Sequence, residues 1–260
     1  MTFNERIIDF LRRENIEFAK AIKYDQCIER KGYLLKFAPK CAIVFLIPYN
    51  RIDSDERNIS RYAVPRDYHL FVKDLFERLM SEFSNCGYNI SCFADHSPID
   101  ERDAAALSGL GVIGDSGLII NKKYGSYVFI GEIVTDCDCE EILCEKEECL
   151  HCGLCKSRCP SCDNCLSAIT QKKGDLTESD IRLMIENNTL WGCDICQEVC
   201  PMNKDIAESP IAFFADDRIA HVDADVIKRM SDDEFNKRAY SWRGRDIILR
   251  NINAAEGHKK

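Results

Sequence analysis

The clearest signals along the chain are changes in the period of its apolar positions. Thr2 and Glu5 form a capping box, and Ile7, Phe10 and Leu11 follow at helical spacing, so an amphipathic helix opens the chain. The run CAIVFLIP (41–48) is continuous, β-branched and short, the pattern of a strand buried on both faces. A polar loop (50–60) separates it from a helix over 66–84, where Phe71, Leu75, Phe76, Leu79, Met80 and Phe83 recur at three and four residues. YNISCF (88–93) predicts a second strand, ERDAAAL (101–107) a short helix stopped by Gly109, and SYVFIGEIV (126–134) a further strand. Thr177 with Asp180 and Ser231 with Glu234 mark two later helix starts. Strands and helices mix without a strict βαβ rhythm, which favours an α+β fold over a doubly wound sheet.

Composition adds one anomaly. Of the 260 residues 45% are hydrophobic and 30% charged, as in a folded globular chain. Sixteen are cysteines, twelve of them between Cys137 and Cys200. The N-terminus is charged and helical, without the apolar core of a secretory signal, and no stretch approaches the roughly 18 apolar residues of a membrane span. A cytoplasmic location with no membrane partner is therefore expected. Thiols stay reduced there, which favours metal binding over disulfides. The net charge of −9 disfavours indiscriminate binding to nucleic acid, although residues 228–260 carry nine Lys/Arg against five Asp/Glu.

The cysteine spacing is specific. Cys149-x2-Cys152-x2-Cys155-x3-Cys159-Pro160 is the bacterial ferredoxin run, in which the fourth cysteine ligates the other of two clusters. Cys193-x2-Cys196-x3-Cys200-Pro201 is one cysteine short of that run, so a ligand must come from elsewhere, Cys165 or Cys162. Two [4Fe–4S] clusters are expected. One takes Cys149, Cys152, Cys155 and Cys200, the other Cys159, Cys165, Cys193 and Cys196. Zinc sites also use C-x2-C pairs, but these are separated by long loops and are not three in succession before Cys-Pro. Cys137, Cys139, Cys144 and the unused member of the Cys162/Cys165 pair have no assigned ligand role, and Cys27, Cys41, Cys86 and Cys92 are scattered. Packed or loop thiols are the expectation for all of these, with a third metal the alternative for the first group.

The loop 109–114 has glycines at dinucleotide-binding spacing but follows a helix, so no Rossmann turn is supported. Instead, ISRYAVPRDYH (59–69), ADHSPIDERDAAALSGLGVIG (94–114), GSYVFIGEI (125–133), the cysteine pattern with Trp191-Gly192-Cys193-Asp194, and the segment 230–252 resemble the epoxyqueuosine reductase family, in matching order. The resemblance implies a cobalamin-dependent reductase with two [4Fe–4S] clusters. Such an enzyme removes an epoxide oxygen in the final step of tRNA queuosine synthesis and is fed by an external low-potential electron donor. It also implies a nitroreductase-like corrinoid-binding lobe over 1–136, a ferredoxin-like double-cluster module over 137–205, and a helical tail over 206–260 packing back on the first lobe. Asp95 would be the acid that protonates the leaving oxygen. That task wants a carboxyl kept protonated by burial, which the apolar strand before Asp95 leads one to expect. Corrinoid or substrate contacts are implied for Arg61, Tyr62, Asp67, Tyr68 and His69, for Ser97, for Gly109, Gly111 and Gly114, and for Gly125 and Ser126.

The chain departs from the family pattern in three places. Val112 and Asp115 stand where the family's glycine loop has an aromatic and a basic residue, the linker between Pro160 and Cys165 is short, and a short form without the family's C-terminal helical repeats is expected. With the acidic charge, these departures weaken the expected grip on tRNA. Two other readings use the same cofactors: dehalogenase-like reduction of a small molecule, and a non-catalytic electron carrier or corrinoid reactivator.

Overall fold

The protein is described by a computed structural model at residues 1–51, 56–139, 147–161 and 164–257. Cys144 and Cys162 lie outside the described residues. The chain divides into two compact units, each assembled from separated stretches of sequence. One holds Met1–Tyr49, Phe71–Cys152 and Pro201–Ile211, and the other holds Asn50–Leu70, Gly153–Cys200 and Ala212–Lys260.

In the first unit the N-terminal capping box forms as the sequence requires. The Glu5 N–H donates to Thr2 and the Thr2 N–H to Glu5, and α1 (Phe3–Arg13) follows. After it come β1 (Ala19–Lys23), β2 (Cys41–Pro48), α2 (Tyr68–Phe83), β3 (Ile90–Ala94), α3 (Glu101–Leu107), the short hairpin β4 (Val112–Ile113) and β5 (Ile119–Ile120), and β6 (Val128–Thr135). Four strands make one antiparallel sheet in the order β1-β2-β6-β3. Every residue of β2 is buried, because the sheet is covered on both faces. Ala42, Val44 and Leu46 join Ile130 and Val134 of β6 and Ala104 and Ala105 of α3 in one apolar layer. Phe45, on the opposite face, meets Phe76 of α2 edge-on.

The second unit is helical: α4 (Leu154–Ser157), α5 (Leu166–Gln171), α6 (Glu178–Glu186), α7 (Ile195–Glu198), α8 (Ala224–Arg229), α9 (Asp232–Phe235) and α10 (Arg245–Gly257). The capping boxes Thr177/Asp180 and Ser231/Glu234 both form. Trp191, fully buried, sits in a core built with Ile59 and Val64, Leu166 and Ile169, Met184, and Tyr240, Ile248 and Ile252. The buried Asn251 of α10 donates to the carbonyls of Thr170 and Leu190, which fixes α10 on this unit.

The architecture is mixed, an antiparallel sheet with helices, in line with the α+β expectation. The units nevertheless cut across the three consecutive segments 1–136, 137–205 and 206–260. The tail is expected on the sheet-bearing lobe, but only residues up to Ile211 belong there; Ala212–Lys260 belong to the helical unit, where α10 packs on α5 and α6. Residues 50–70 belong there too, since Ile59, Ala63 and Val64 complete the same apolar core. Among the described residues no helix is long and apolar enough to cross a membrane.

Candidate functional site

Two stretches share one spacing, Cys152-x2-Cys155-x3-Cys159-Pro160 and Cys193-x2-Cys196-x3-Cys200-Pro201, and they fold alike. In each, a four-residue helix carries the middle cysteine, Cys155 in α4 and Cys196 in α7, and these two helices pack on one another. The proline after the last cysteine keeps the chain from continuing as helix. Cys159, Cys165, Cys193 and Cys196, all in the helical unit, come close enough that Cys193 and Cys196 each sense Cys159 and Cys165. Burial pushes the Cys193 thiol up to about 11 and the Cys196 thiol up to about 12, and the neighbouring sulfurs add to both. Ionising such a group of thiols calls for a cation among them, and four sulfurs are the donor set of an iron–sulfur cluster. Cys165, at the start of α5, is thus placed beside Cys193 and Cys196.

The other four expected ligands are divided: Cys155 and Cys200 lie in the helical unit, Cys149 and Cys152 in the sheet-bearing unit. Beside Cys149 stand Asp115 and His151, with one donor atom from each of the three within 4.8 Å of the others. His151 Nδ1 is 3.0 Å from Asp115 Oδ1, so the acid found at a basic position of the family loop has a histidine partner.

Next to Cys193, Asp194 holds the loop of residues 57–61. Its carboxylate accepts from Arg57 Nη1 at 2.8 Å, from the Arg61 N–H at 2.7 Å, from Gln197 Nε2 at 3.2 Å, and from the Ser60 hydroxyl. In the sequence Asp194 is only the last residue of the Trp191-Gly192-Cys193-Asp194 motif, with no role attached. The available signal was an acid immediately after a cluster-type cysteine, an unfavourable neighbour for a thiolate unless cations surround it.

In the sheet-bearing unit Asp95 follows β3 directly, as expected, but it is exposed and its backbone is left-handed, φ 64°. The burial expected for it falls on two other carboxyls. Glu132 is 0% exposed in β6, opposite Val44 and Phe93, so its side chain shares the apolar layer of α3. Neither Glu132 oxygen completes a hydrogen bond among the described residues, although the Ser97 hydroxyl lies near enough to favour its ionised form. Burial, reinforced by Glu101, raises Glu132 well above the usual carboxylate range. Glu101, the first residue of α3, is pushed up to about 7 by burial and by the charge of Asp95. Ser97 itself is fully buried and accepts from the Ile99 N–H.

The residues implied as corrinoid contacts are likewise divided between the units. Arg61, Tyr62, Asp67, Tyr68 and His69 are in the helical unit, where Asp67 accepts from the His69 N–H at the start of α2 and lies 2.8 Å from its Nδ1. Gly109, Gly111, Gly114, Gly125 and Ser126 are in the sheet-bearing unit. Two of these glycines serve packing inside the chain. A β carbon on Gly111 would lie 2.6 Å from the carbonyl oxygen of Ile120, and one on Gly125 would strike the Asn203 side chain. Asn203 is held in turn by reciprocal 2.8 Å hydrogen bonds with Ser126. A cavity of about 450 Å³ opens beside the glycine loop, lined by Leu107, Gly109, Gly111, Val112 and Ile113 together with Lys20 and Asp103.

Comparison with known proteins adds a sequence match over most of the chain. An epoxyqueuosine reductase from Lactococcus garvieae is 31% identical over 219 residues, covering 77% of this chain and 62% of that protein. This chain is a relative of the epoxyqueuosine reductases. The family model described as "Epoxyqueuosine reductase QueG, DUF1730" matches residues 35–96. The structure of epoxyqueuosine reductase from Streptococcus thermophilus superposes with a TM-score of 0.81 at 23% identity, covering 98% of this chain and 81% of that one. A crystal structure of epoxyqueuosine reductase with a tRNA-Tyr epoxyqueuosine-modified stem loop gives the same TM-score and identity, covering 98% and 80%. The fold is therefore that of the solved epoxyqueuosine reductases. The chain spans about half to three-fifths of the length of the curated relatives it matches.

Four thiols outside the epoxyqueuosine reductase motifs also converge. Lys23 of β1, Cys41 of β2 and Thr135 of β6 are register partners in one row at the end of the sheet. Cys27 follows Lys23 by one turn, and Cys137 and Cys139 follow Thr135, so all three meet Cys41. The Cys41 thiol hydrogen-bonds Cys139, and this contact and burial raise it far above the free-thiol range, with Cys137 and Cys27 adding to the rise. Cys27 is pushed up to about 12, first by burial. Cys41 and Cys137 are buried and Cys27 and Cys139 half-buried, and the four are grouped where the sequence showed them scattered.

Proposed function

We propose that this chain is an iron–sulfur and corrinoid-dependent reductase that removes the epoxide oxygen of epoxyqueuosine in tRNA. The observation that carries the reading is the meeting of Cys159 from one copy of a cysteine repeat, Cys193 and Cys196 from the other, and Cys165 from outside both, in a relative of the epoxyqueuosine reductases. Those four residues would hold one [4Fe–4S] cluster, and Cys149, Cys152, Cys155 and Cys200 the other. On this reading the cysteine module is ferredoxin-like and the sheet-bearing unit is a nitroreductase-like corrinoid scaffold. The cavity beside residues 109–113 has the size of a small-molecule pocket and would take part of a corrinoid. Arg61, Tyr62, Asp67, Tyr68, His69, Ser97 and Ser126 would make its remaining contacts or touch substrate. When bound, the clusters and the corrinoid supply electrons at low potential, drawn from an external donor.

The protein's own part is proton chemistry and positioning. Asp95, exposed at the end of β3, would meet the substrate and protonate the departing oxygen. Asp194 holds the Arg57–Arg61 loop against the cysteine helix that follows it, so the residues before α2 and the thiols keep one geometry. The relationship to enzymes named for epoxyqueuosine favours this substrate over a halogenated small molecule, and a stem loop bearing epoxyqueuosine is the natural probe. The test is an anaerobic assay with that stem loop, cobalamin and a strong reductant. Formation of queuosine is expected, and its absence with both clusters loaded would overturn the reading.

A further inference from the structure

A connection between two strands ordinarily turns small, polar residues to water. The connection from β1 to β2 does the opposite at its tip. Ile28, Tyr33 and Leu34 are exposed, Ile28 at 59% and Leu34 at 98%, although Leu35 and Phe37 beside them pack on the apolar layer of the sheet. Residues 28–40 also carry four Lys/Arg against one Asp/Glu, in a chain whose net charge is −9. Of these cations Arg30 pairs with Asp100 and Lys40 with Asp138. Lys31 and Lys36 are exposed and pair with no carboxylate among the described residues.

The loop is tied down at its base and along its first half. The Tyr24 N–H donates to the Lys40 carbonyl at 3.0 Å. Glu29 and Ile99 form an antiparallel bridge, the Arg30 N–H donates to the Pro98 carbonyl at 2.8 Å, and the Asp100 N–H donates to the Ile28 carbonyl at 2.8 Å. Three residues, at most about 11 Å of chain, separate Asp95 from Pro98, so these bonds fasten the loop beside the acid. All of these residues belong to the sheet-bearing unit.

Aromatic and apolar side chains set in water between cations are how proteins take unpaired nucleic acid: bases stack on the ring, and lysines meet the phosphates. We propose that the β1–β2 loop docks the unpaired nucleotides of the RNA substrate, with Tyr33 and Leu34 receiving bases and Lys31 and Lys36 the backbone phosphates. This rests on the reading of epoxyqueuosine in tRNA as the substrate and of Asp95 as the acid. It also answers a difficulty of charge, since an acidic chain gains a local positive field where the nucleotide must come. The loop is fastened beside Asp95 and not among Cys159, Cys165, Cys193 and Cys196, which belong to the helical unit. That position favours the substrate over an acidic electron-donor protein as its occupant.

The experiment measures binding of a fluorescently labelled stem loop bearing epoxyqueuosine to the anaerobic holoprotein, by anisotropy over a range of salt. Tyr33→Ala is expected to raise the Kd at least about fivefold, and Tyr33→Phe, which keeps the ring, to restore it. The double variant Lys31→Ala/Lys36→Ala should flatten the slope of log K against log salt by about 1.4, roughly 0.7 for each lost phosphate contact on a single strand. These side chains stand in water, so the variants should melt with the wild type and a weaker affinity reports the contact. Affinities and salt slopes equal to the wild type's overturn the proposal. So does a defect confined to reduction of the protein by an acidic electron-donor protein. Turnover separates this inference from the reading beneath it. A wild-type chain that binds the stem loop through these residues but never forms queuosine loses the reaction and keeps the docking loop. A chain that forms queuosine, with affinity unaltered in every variant, loses the docking loop alone.

Discussion

Asp194 Oδ2 lies 2.7 Å from the backbone nitrogen of Arg61, 133 positions earlier in the chain. The same carboxylate pairs with Arg57 at 2.8 Å, and both side chains are largely withdrawn from water, 3% and 15% exposed. Arg57 also pairs with Glu198, so removing Asp194 leaves the arginine a partner but strips the Arg61 N–H and the Ser60 hydroxyl of their acceptor, at a cost of about 1–3 kcal/mol. Asp194→Ala is therefore expected to lower the unfolding free energy obtained from urea titration by that much. Asp194→Asn, which keeps an acceptor for the Arg61 N–H, should lose clearly less. Equal losses in the two variants would mean that the acceptor geometry is unimportant.

The buried acids make stability depend on pH in an unusual direction. Glu101 keeps its proton up to about 7, while in the unfolded chain a glutamate releases it near about 4.3. The folded state binds more protons between those values, so its stability is full below the lower one and falls as pH rises through the higher. Glu101→Gln should remove that fall, worth on the order of 2 kcal/mol across the window. Denaturant titrations at pH 4, 5.5 and 7.5 check it, and parallel curves for wild type and variant would contradict it.

Cys165 and Cys162 are distinguished by iron content. If Cys165 completes the set with Cys159, Cys193 and Cys196, anaerobically reconstituted Cys165→Ser should lose about four of about eight irons per chain. Cys162→Ser should keep them all. The reverse pattern would transfer the ligand role to Cys162.

The thiols at the end of the sheet should be inert in the folded protein. Alkylation requires the thiolate, and both Cys41 and Cys27 are held well above the ordinary thiol range. Iodoacetamide at pH 8 should label them only after unfolding, as peptide mapping would report. Rapid labelling of Cys41 in the native chain would show that the group is open to solvent.

Much of this arrangement is visible in the sequence, because local signals coincide with the physics that decides them. The capping boxes at Thr2, Thr177 and Ser231 and the continuous run of β2 form where the sequence places them. β1 is not visible: AKAIK interrupts its apolar residues with two lysines, and only pairing with β2 makes it a strand. The unit boundaries are hidden for a related reason, since Ile59, Trp191 and Tyr240 share a core that no local pattern announces. At the acid site the position of Asp95 follows from the end of β3. Its exposure does not, and neither does the burial of Glu132, an ordinarily charged residue inside the apolar run VFIGEIV. A carboxylate in such a run reads as an edge or an error until the sheet is seen to be covered on both sides.

The left-handed backbone at Asp95 carries a thermodynamic consequence of its own. Only glycine adopts that conformation freely, and for a side-chain-bearing residue it costs roughly 1 kcal/mol. Asp95→Gly should therefore yield a chain that resists denaturation better than the natural one while lacking the carboxyl. On the proposed reading, the acid of the reaction sits at a position where glycine would be the more stable choice, so stability and activity pull this one residue in opposite directions.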